Sequence, residues 1–413
     1  MVDLITVKLE EICTQVTDGT HDSPKLISHG YPLIKGKDIN KGYIDFENCD
    51  YISEEDHLKV ISRSKPEYGD ILFANIGNSI GDMAFVSTTK EFSIKNVALI
   101  KADITKVDNL YLYYYMLNKD FQNEIKSTKQ GAAQPFISLN LLRNFELKIN
   151  KKLKIQTKIA KVLSNYDDLI ENNNKRIKIL EEMAQKIYKE WFVDFKFPNH
   201  ETATFKQTEL GEIPTDWEVS NIEKYYNTSS GGTPSRKQLS YYDNGNINWI
   251  KTGELKNTFV IDTEEKITEE AIKNSSAKVF PVNTVTLAMY CGMGDISIMS
   301  KPMATNQACC VFLPKYDYLE YPFTYLFFSN ITKEMTNISF GAAQQNLSQE
   351  VIKAYIVKFP SKEIVLNFNK IIKPIFENIR NLLYKNQTLK QTRNQLLPRL
   401  ISGEIDVENM EIK

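Results

Sequence analysis

Gly131-Ala132-Ala133-Gln134 decides how this chain is organised, because the same four residues return as Gly341-Ala342-Ala343-Gln344. The likeness extends to both sides of the two copies. The corresponding segments are residues 34–39 with 250–255, residues 137–138 with 347–348, residues 141–142 with 351–352, and residues 147–148 with 357–358. A long stretch with helical apolar spacing follows each copy. The sequence therefore predicts a globular module and a long helix, made twice.

Each module contains short apolar runs separated by turns with glycine or asparagine, a pattern that indicates β-strands. The runs are Ile71-Leu72-Phe73-Ala74 and Val97-Ala98-Leu99-Ile100 in the first module, and Val285-Thr286-Leu287-Ala288-Met289 and Cys309-Cys310-Val311-Phe312 in the second. An aromatic helix is predicted over residues 110–125 and again around residues 323–328. We therefore expect two mixed α/β modules.

The two long helices each carry an apolar seam whose residues step by three and four, as in a coiled coil. The seams consist of Ile155, Ile159, Val162, Tyr166, Leu169, Asn173, Ile177, Leu180, Ala184, Ile187 and Trp191, and of Phe368, Ile372, Ile375, Ile379, Leu382, Asn386, Leu389, Leu396 and Leu400. We favour an antiparallel pair, because both seams contain an asparagine and a buried asparagine commonly fixes register. The alternative is two independent amphipathic helices on separate cores. Pro374 is expected to kink the second helix or to mark its start.

The predicted fold class is α+β, with two similar mixed α/β domains separated by a long antiparallel two-helix coiled coil in a pseudo-two-fold repeat. The predicted domains are residues 1–152 (first module), 153–197 (central helix), 198–361 (second module), 362–402 (distal helix) and 403–413 (tail). At about 1.5 Å per residue, residues 155–192 would span roughly 57 Å. This length exceeds one turn of B-DNA, which spans about 34–36 Å. Such a spacer would therefore hold the two modules over separate half-sites on one side of a DNA duplex.

The composition provides for hydrophobic cores, since 42% of the 413 residues are apolar. No transmembrane span or signal peptide is predicted. The five cysteines lack a C-x-x-C pattern and are expected to be reduced, buried thiols in a cytoplasm. The four histidines show no metal spacing, so no metal site is expected. The net charge of −1 is unlike that of a nucleic-acid binder, so any DNA-binding face must be a local patch, with a second protein neutralising further phosphates.

Catalytic motifs are missing from the sequence. There is no G-x-x-x-x-G-K-[ST] motif, which excludes a P-loop ATPase. No two prolines are adjacent, which excludes the Asn-Pro-Pro-aromatic motif with which amino-methyltransferases hold the target amine. Gly77, Gly81 and Gly292 are interpreted as turn glycines.

Three local sequences resemble signatures of the specificity subunit of type I restriction–modification systems. They are Met183-Ala184-Gln185-Lys186-Ile187-Tyr188-Lys189-Glu190-Trp191-Phe192-Val193-Asp194-Phe195, Glu209-Leu210-Gly211-Glu212-Ile213-Pro214-Thr215-Asp216-Trp217-Glu218, and Leu396-Leu397-Pro398-Arg399-Leu400-Ile401-Ser402-Gly403-Glu404-Ile405. The run Gly231-Gly232-Thr233-Pro234-Ser235 is similar to that family too, whereas its first-module counterpart at residues 19–24 is looser.

The resemblance implies that each module is a target-recognition domain that binds one half of a split double-stranded DNA sequence. It implies that the paired helices dock two adenine-N6 methyltransferase subunits, and that restriction–translocase subunits join the full defence system. S-adenosylmethionine would be bound by the methyltransferase, and this chain would bind no cofactor, hold no metal and catalyse nothing.

Base edges are contacted mainly by Asn, Gln, Arg, Lys, Ser and Thr side chains on loops. The candidate DNA-binding residues are Thr20, His21, Lys35, Lys37, Asn75, Asn78 and Gln134 in the first module, and Thr233, Ser235, Arg236, Lys251, Tyr290, Gln344 and Gln345 in the second. Lys35 and Lys251 recur in both modules, which suits phosphate contact better than sequence recognition. For Arg236 two interpretations stay open: a bidentate contact with guanine, or a solvent-exposed side chain with no base contact. The repeated Gly-Ala-Ala-Gln run would contact DNA or form a tight turn.

Two other functions fit parts of the sequence. The first alternative is a self-contained methyltransferase or nuclease with unfamiliar motifs. Binding of S-adenosylmethionine by the isolated chain would favour it. The second alternative is a coiled-coil assembly scaffold that does not contact DNA. The absence of binding to duplex DNA, even with a methyltransferase partner present, would favour it.

Overall fold

The computed structural model describes residues 3–40, 42–128, 135–340 and 347–411. The chain divides into two compact units, Met1–Ile170 with Leu389–Lys413, and Glu171–Thr388. The domain boundaries given above stay a prediction. Both copies of the Gly-Ala-Ala-Gln run, and with them the candidates Gln134, Gln344 and Gln345, lie outside the described residues.

The described elements follow a similar order in the two modules. The first series is β1 Leu4–Lys8, β2 Cys13–Asp18, β3 Tyr31–Lys35, β4 Ile39–Asn40, β5 Tyr43–Ile44, β6 Asp50–Ile52, α1 Glu54–Ser64, β7 Ile71–Phe73, β8 Met83–Phe85, β9 Ser93–Lys95, β10 Ala98–Ala102, α2 Asn109–Leu117, α3 Lys119–Ser127, α4 Leu139–Arg143, β11 Glu146–Asn150 and the long helix α5 Leu153–Tyr188, followed by a π-turn over Lys189–Val193.

The second series begins after a hairpin formed by β12 Phe205–Thr208 and β13 Gly211–Pro214. It comprises β14 Glu218–Asn221, β15 Tyr226–Ser230, β16 Ile247–Ile250, β17 Phe259–Val260, β18 Lys266–Ile267, α6 Glu269–Lys273, β19 Val279–Phe280, β20 Val285–Ala288, β21 Ile296–Met299, β22 Met303–Thr305, β23 Cys309–Pro314, α7 Tyr321–Phe340, α8 Gln349–Ala354, β24 Ile356–Phe359 and the long helix α9 Lys362–Ile401.

The sheets of the two modules have the same topology. The order β2-β10-β7-β8 returns as β15-β23-β20-β21 with β17 added, and β6-β3-β9 returns as β18-β16-β22 with β19 added. In both smaller sheets the central strand pairs in parallel with the strand that follows it in that order, β3 with β9 and β16 with β22. The two-stranded pair β1-β11 returns as β14-β24. The predicted duplication of a mixed α/β module is confirmed.

The central strands β7 and β20 are buried at every position, which explains why their residues are apolar except for Thr286. Ile71 and Phe73 of β7 pack into the core shared with α2, whereas Leu72 packs into the core beneath the β6-β3-β9 sheet. In the second module Val285 and Leu287 face the helices and Ala288 faces the smaller sheet. The larger sheet therefore separates two hydrophobic layers.

Within each compact unit, α5 and α9 pack against each other. In the first unit Ile155 and Ile159 belong to the same core as Leu397 and Leu400. That core stabilises the start of α5 against the end of α9. The carboxylate of Asp167 on α5 forms an ion pair with Arg393 on α9.

In the second unit Ile177 and Tyr188 share a core with Phe368 and Leu382. The ring centroids of Tyr188 and Phe368 lie 6.0 Å apart. In each unit, later residues of α5 meet earlier residues of α9, so the helices are antiparallel and the predicted pairing is confirmed.

Two details differ from the expectations. Pro374 lies inside α9, which begins at Lys362, so the idea that the proline marks the start of the helix is wrong. Both Pro374 and Lys370 are exposed, so the carbonyl oxygen that loses its hydrogen bond can bind water. Of the five cysteines, Cys291 is exposed and Cys13 is half-buried, so the expectation of buried thiols holds only for the other three.

Within the described residues, no helix has the length and apolar character needed to cross a membrane.

Candidate nucleic-acid interface

A glycine brings the loop after the second strand of each module against the smaller sheet. A Cβ atom on Gly19 would overlap the carbonyl oxygen of Ile94, and one on Gly231 would overlap that of Thr305. The next residue in each case donates a backbone hydrogen bond to the same carbonyl oxygen, Thr20 to Ile94 at 3.1 Å and Gly232 to Thr305 at 3.0 Å. The two loops are therefore held in the same way.

Thr20 and His21 lie on this loop in the first module. The hydroxyl oxygen of Thr20 accepts a hydrogen bond from the backbone N–H of Asp22 at 3.1 Å. The exposed imidazole of His21 has Nε2 at 2.7 Å from Asp18 Oδ2 and Nδ1 at 3.0 Å from Asn96 Oδ1. His21 is therefore oriented on both sides while its ring remains open to solvent.

Thr233 and Ser235 lie on the corresponding loop of the second module, and both side chains are exposed. The hydroxyl of Thr233 donates a hydrogen bond to Gln307 Oε1. The carbonyl oxygen of Ser235 accepts one from the backbone N–H of Gln238 at 3.1 Å.

Lys35 and Lys251 occupy the same structural position. Each precedes a short 3-10 helix, Gly36–Asp38 or Thr252–Glu254, and donates its backbone N–H to the acidic side chain that ends it, at 2.9 Å in the first module and 2.7 Å in the second. Their side chains also form ion pairs. Nζ of Lys35 lies 2.5 Å from Asp50, and Nζ of Lys251 lies 3.0 Å from Glu265.

Lys37 is more available than Lys35. Its side chain is 61% exposed, and Nζ lies 3.8 Å from Asp38 Oδ1 and 3.9 Å from Asp50 Oδ2. Hydrogen bonding by Lys35 holds the pKa of Asp50 below its usual range. The ammonium group of Lys37 therefore lies near a carboxylate, that of Asp50, which is already paired with Lys35.

Arg236 is held by its own module. Its guanidinium donates two hydrogen bonds to Glu265, at 2.6 and 2.9 Å. The group lies over the rings of Tyr242 and Trp249, with Cζ 4.4 and 5.2 Å from the ring centroids. Hydrogen bonding by Arg236 is the largest influence that lowers the pKa of Glu265 to about 2, and Lys251 acts in the same direction. The fork needed for a bidentate guanine contact is therefore occupied by a carboxylate.

Asn75 and Asn78 lie in the loop between β7 and β8. Asn75 is 4% exposed, so its side chain is not available at the surface; its Nδ2 donates to the carbonyl oxygen of Ile137 at 3.3 Å. The backbone N–H of Ile137 donates in return to the carbonyl oxygen of Asn75 at 2.8 Å. Asn75 positions the segment after residue 134, whereas Asn78 is exposed.

Tyr290 lies in the corresponding loop between β20 and β21, with 42% of its side chain exposed. The preceding residue, Met289, accepts a backbone hydrogen bond from Leu347 at 3.2 Å, as Asn75 does from Ile137. The matching contacts place the two Gly-Ala-Ala-Gln flanks in equivalent positions.

The described candidates of the first module, apart from the buried Asn75, lie along one edge. Thr20 forms a β-bridge with Lys95, and Lys95 is the register partner of Lys35. A Cβ atom on Gly36 would lie 2.6 Å from Ser79 Oγ, which places the turn that contains Lys37 beside the β7–β8 loop. We call this surface the first polar edge; it consists of Thr20, His21, Lys35, Lys37, Asn78, Lys95 and Asn96.

The second module has an equivalent edge. The backbone N–H of Met289 donates to the carbonyl oxygen of Ala308 at 2.9 Å, which places Tyr290 near Gln307. Arg236 and Lys251 share Glu265, and the indole N–H of Trp249 beneath Arg236 donates to the carbonyl oxygen of Gly232 at 3.1 Å. We call this surface the second polar edge; it consists of Thr233, Ser235, Arg236, Lys251, Tyr290 and Gln307.

Asn96, Lys95 and Gln307 are members of these edges that sequence reasoning missed. Lys95 ends β9, Asn96 follows it, and Gln307 follows β22, so all three lie far along the chain from the loops they meet. The sequence marks the Gly19 and Gly231 loops by their residues, but the strand against which each loop packs follows only from the sheet topology. Loops rich in amides, hydroxyls and lysines on a rigid sheet edge are suited to hydrogen bonding with base edges and phosphates.

Comparisons with known proteins agree with this architecture. The specificity subunit of the type I restriction enzyme MjaIX from Methanocaldococcus jannaschii is 27% identical over 307 residues, which cover 73% of this chain and 70% of that protein. The specificity subunit of the type I restriction enzyme HindI from Haemophilus influenzae is 25% identical, with 89% of this chain and 94% of that protein covered.

A solved structure, the S subunit of a type I restriction–modification system from M. genitalium, matches with a TM-score of 0.58 and 15% identity over 97% of this chain and 96% of that one. That likeness concerns the fold. The family model described as type I restriction modification DNA specificity domain matches residues 1–182 and 214–397, once over each module and most of its long helix. This chain therefore belongs to the type I restriction modification DNA specificity domain family.

Proposed function

We propose that this chain is the non-catalytic DNA sequence-specificity subunit of a type I restriction–modification complex. Each module would bind one half of a bipartite double-stranded target. The observation that carries the proposal is that one framework occurs twice with different side chains at the same polar edge. A protein that binds one repeated ligand needs no such difference, whereas a protein that recognises two half-sites of different sequence does.

The shared and the differing residues support separate roles. Lys35 and Lys251 have the same backbone position, the same capping contact and an acidic partner each. A feature kept in both modules suits the DNA backbone, which is the same at every sequence. His21 and Thr233 occupy equivalent loops with different chemistry, which suits the bases.

The outer faces of the long helices support docking of partner subunits. On α5 the side chains of Ile179 and Met183, one turn apart, are 56% and 46% exposed, and on α9 Ile371 is 47% exposed. Apolar side chains at helical spacing on an exposed face suit packing against helices of another protein. We propose that two adenine methyltransferase subunits dock there and bind S-adenosylmethionine, that restriction–translocase subunits join them, and that this chain binds no cofactor itself.

A module exchange tests the proposal. The predicted second module, residues 198–361, would be replaced by the matching module of a relative, and the chain would be assembled with its methyltransferase partner. Mapping of methylated adenines should show one half of the target changed and the other half kept. A change in both halves, or in neither, would contradict the division of labour.

Catalysis by the isolated chain tests the non-catalytic part. The purified chain, incubated with S-adenosylmethionine and duplex DNA, should transfer no methyl groups, whereas the same preparation with the methyltransferase partner should. Methyl transfer by the chain alone at the rate of the complex would show that it is an enzyme.

A further inference from the structure

We propose that Asn96 and Gln307 are the equivalent base-contacting residues of the two modules, each oriented by a neighbouring side chain to bind an adenine in its half-site. This inference rests on the proposed function and adds specificity-determining residues to it.

The equivalence of the two residues follows from backbone hydrogen bonds. The N–H of Thr20 binds the carbonyl oxygen of Ile94, and the N–H of Gly232 binds that of Thr305. Asn96 lies two residues beyond Ile94, and Gln307 lies two residues beyond Thr305.

The same step along the facing loop leads from Thr20 to His21 and from Gly232 to Thr233. These two residues contact the amides: His21 Nδ1 lies 3.0 Å from Asn96 Oδ1, and the hydroxyl of Thr233 donates to Gln307 Oε1. The modules thus place a polar pair at one site but build it from different side chains.

The geometry leaves each amide able to bind a base. A carbonyl oxygen accepts two hydrogen bonds, so the bond from Thr233 leaves Gln307 one acceptor site on its oxygen together with two N–H donors. In the first module the Asp18 carboxylate accepts the N–H of His21 Nε2, so Nδ1 of a neutral His21 accepts from the Asn96 amide group, whereas a doubly protonated His21 donates to the amide oxygen. In both cases the Asn96 amide keeps an acceptor site and an N–H donor. An asparagine or glutamine with one acceptor and one donor available binds adenine through N6 and N7 in the major groove. The neighbour fixes the amide plane and so lowers the entropy that binding would otherwise cost.

Hydrogen bonds to the backbone fix the two turns that carry these amides. The N–H of Asn96 donates to the carbonyl oxygen of Thr20 at 3.3 Å, and Asn96 has a φ of 53°, a left-handed conformation that asparagine tolerates. In the second module Asn306 Oδ1 accepts the N–H of Ala308 at 3.1 Å and fixes the turn around Gln307. Gln307 is exposed and Asn96 is half-buried at the rim.

Gln307→Glu tests the second module in the full complex with the methyltransferase partner. The substrate is a library of genomic DNA fragments, and the readout is the rate and position of adenine methylation. Glutamate cannot donate to N7 of adenine and accepts from cytosine instead. We expect methylation of the wild-type target to fall about 5- to 150-fold, with a changed base preference at one position of one half-site and the other half unaltered.

Asn96→Asp should produce the same kind of change in the other half-site. Gln207→Glu is the matched control for Gln307→Glu, since Gln207 is an exposed glutamine of β12, which pairs with β13 and belongs to neither sheet that carries the second polar edge. It should leave the target and the rate unchanged.

Thr233 is a positioning residue by this account. Thr233→Val, which removes the hydroxyl that holds Gln307, should relax the preference at the same base position as Gln307→Glu, and Thr233→Ser should restore it. A purely structural role would lower all methylation alike and would not single out one base.

The outcomes separate the two proposals. If the wild-type complex modifies no defined sequence, the proposed function fails. If the wild-type complex is specific and a folded Gln307→Glu variant keeps the same target at the same rate, this inference alone is overturned. Should that variant fail to match the wild-type melting temperature, Gln307→Met, which removes donor and acceptor without adding charge, gives the same test.

Discussion

Asn173 on α5 and Asn386 on α9 are joined by a side-chain hydrogen bond, in which Asn173 Nδ2 donates to Asn386 Oδ1 at 2.8 Å. Asn386 Nδ2 donates in turn to Asn174 Oδ1, also at 2.8 Å. Asn386 is 4% exposed and follows the buried Leu382 by one turn. A shift of one helix by a turn would leave this amide without its partners in an apolar seam, so the pair favours one register.

Asn386→Ala should lower the free energy of unfolding by about 1–3 kcal/mol, because a buried network loses its acceptor and its donor. Urea unfolding of the full chain measures the change. Asn367→Ala, at an exposed position of the same helix, is the matched control and should shift stability by less than about 0.5 kcal/mol. Equal effects of the two substitutions would show that the buried amide has no special role.

Much of the fold can be predicted from the sequence because it depends on patterns along the chain. The strands around Leu72 and Leu287 are buried at every position and apolar except for Thr286, since cores lie on both faces of the sheet. The paired helices follow from the three–four spacing, and the two asparagines in the seams meet as expected. Local spacing decides these features, and tertiary contacts do not overrule it.

The polar edges could be predicted only in part. Arg236 is a good candidate for guanine by residue type, yet Glu265, 29 residues later, occupies its guanidinium. Asn75 lies in the expected loop, but its side chain points inward. Asn96 and Gln307 escape notice because their role depends on a parallel strand pairing that no local pattern reveals.

Glu265→Gln should destabilise the second unit in a pH-dependent way. Since the pKa of folded Glu265 is lowered to about 2 from an ordinary 4.5, its stabilising effect is full above about pH 4.5 and is lost as the pH falls towards 2. The wild type should therefore exceed the variant in melting temperature at pH 7, and the difference should shrink on acidification. The effect should be modest because Glu265 is 32% exposed.

Glu264→Gln is the control for this experiment. Glu264 is 82% exposed, and its carboxylate pairs with Lys251 at an Nζ–oxygen distance of 3.4 Å. A difference between wild type and Glu265→Gln that stays constant from pH 7 to pH 2 would contradict the assignment of the charge-dependent contact to Glu265.

Lys37→Ala should weaken DNA binding by the assembled complex more than Lys35→Ala. Lys37 is 61% exposed and only loosely paired, whereas the Lys35 amine is bound to Asp50. Loss of one phosphate contact should reduce affinity for all sequences alike and lower the slope of log affinity against log salt by about 1. Titration of specific and unrelated duplexes at several salt concentrations measures both quantities. A loss confined to the specific duplex would instead make Lys37 a base-contacting residue.

Glu181→Gln should stabilise the second unit at neutral pH. The hydroxyl of Thr258 donates to Glu181 Oε1, and burial raises the pKa of this carboxyl above its ordinary 4.5. A raised pKa means that the fold favours the protonated form, so the charged form costs stability that returns as the pH falls towards 4.5. The glutamine keeps the acceptor and removes the charge.

Melting curves at pH 8 and pH 4.5 measure this effect. The gain from Glu181→Gln should be present at pH 8 and nearly absent at pH 4.5. Glu182→Gln, on the adjacent exposed position of α5, should show a much smaller gain. A variant less stable than the wild type at pH 8 would mean that the carboxylate charge is used by the fold.

Lengthening both long helices together should widen the gap between the half-sites. Insertion of seven residues into α5 after Ile170 and seven into α9 before Leu389 keeps each seam in phase, because a heptad restores the pattern. Each helix gains about 10 Å, or about three base pairs at roughly 3.4 Å each. Adenine-methylation mapping with the partner present should show both half-sites unchanged and the undefined gap between them longer. As a control, seven residues inserted between Glu209 and Leu210, in the β12–β13 hairpin, should leave the gap unchanged. If the helix-extended variant keeps the wild-type gap, helix length does not set the spacing of the half-sites.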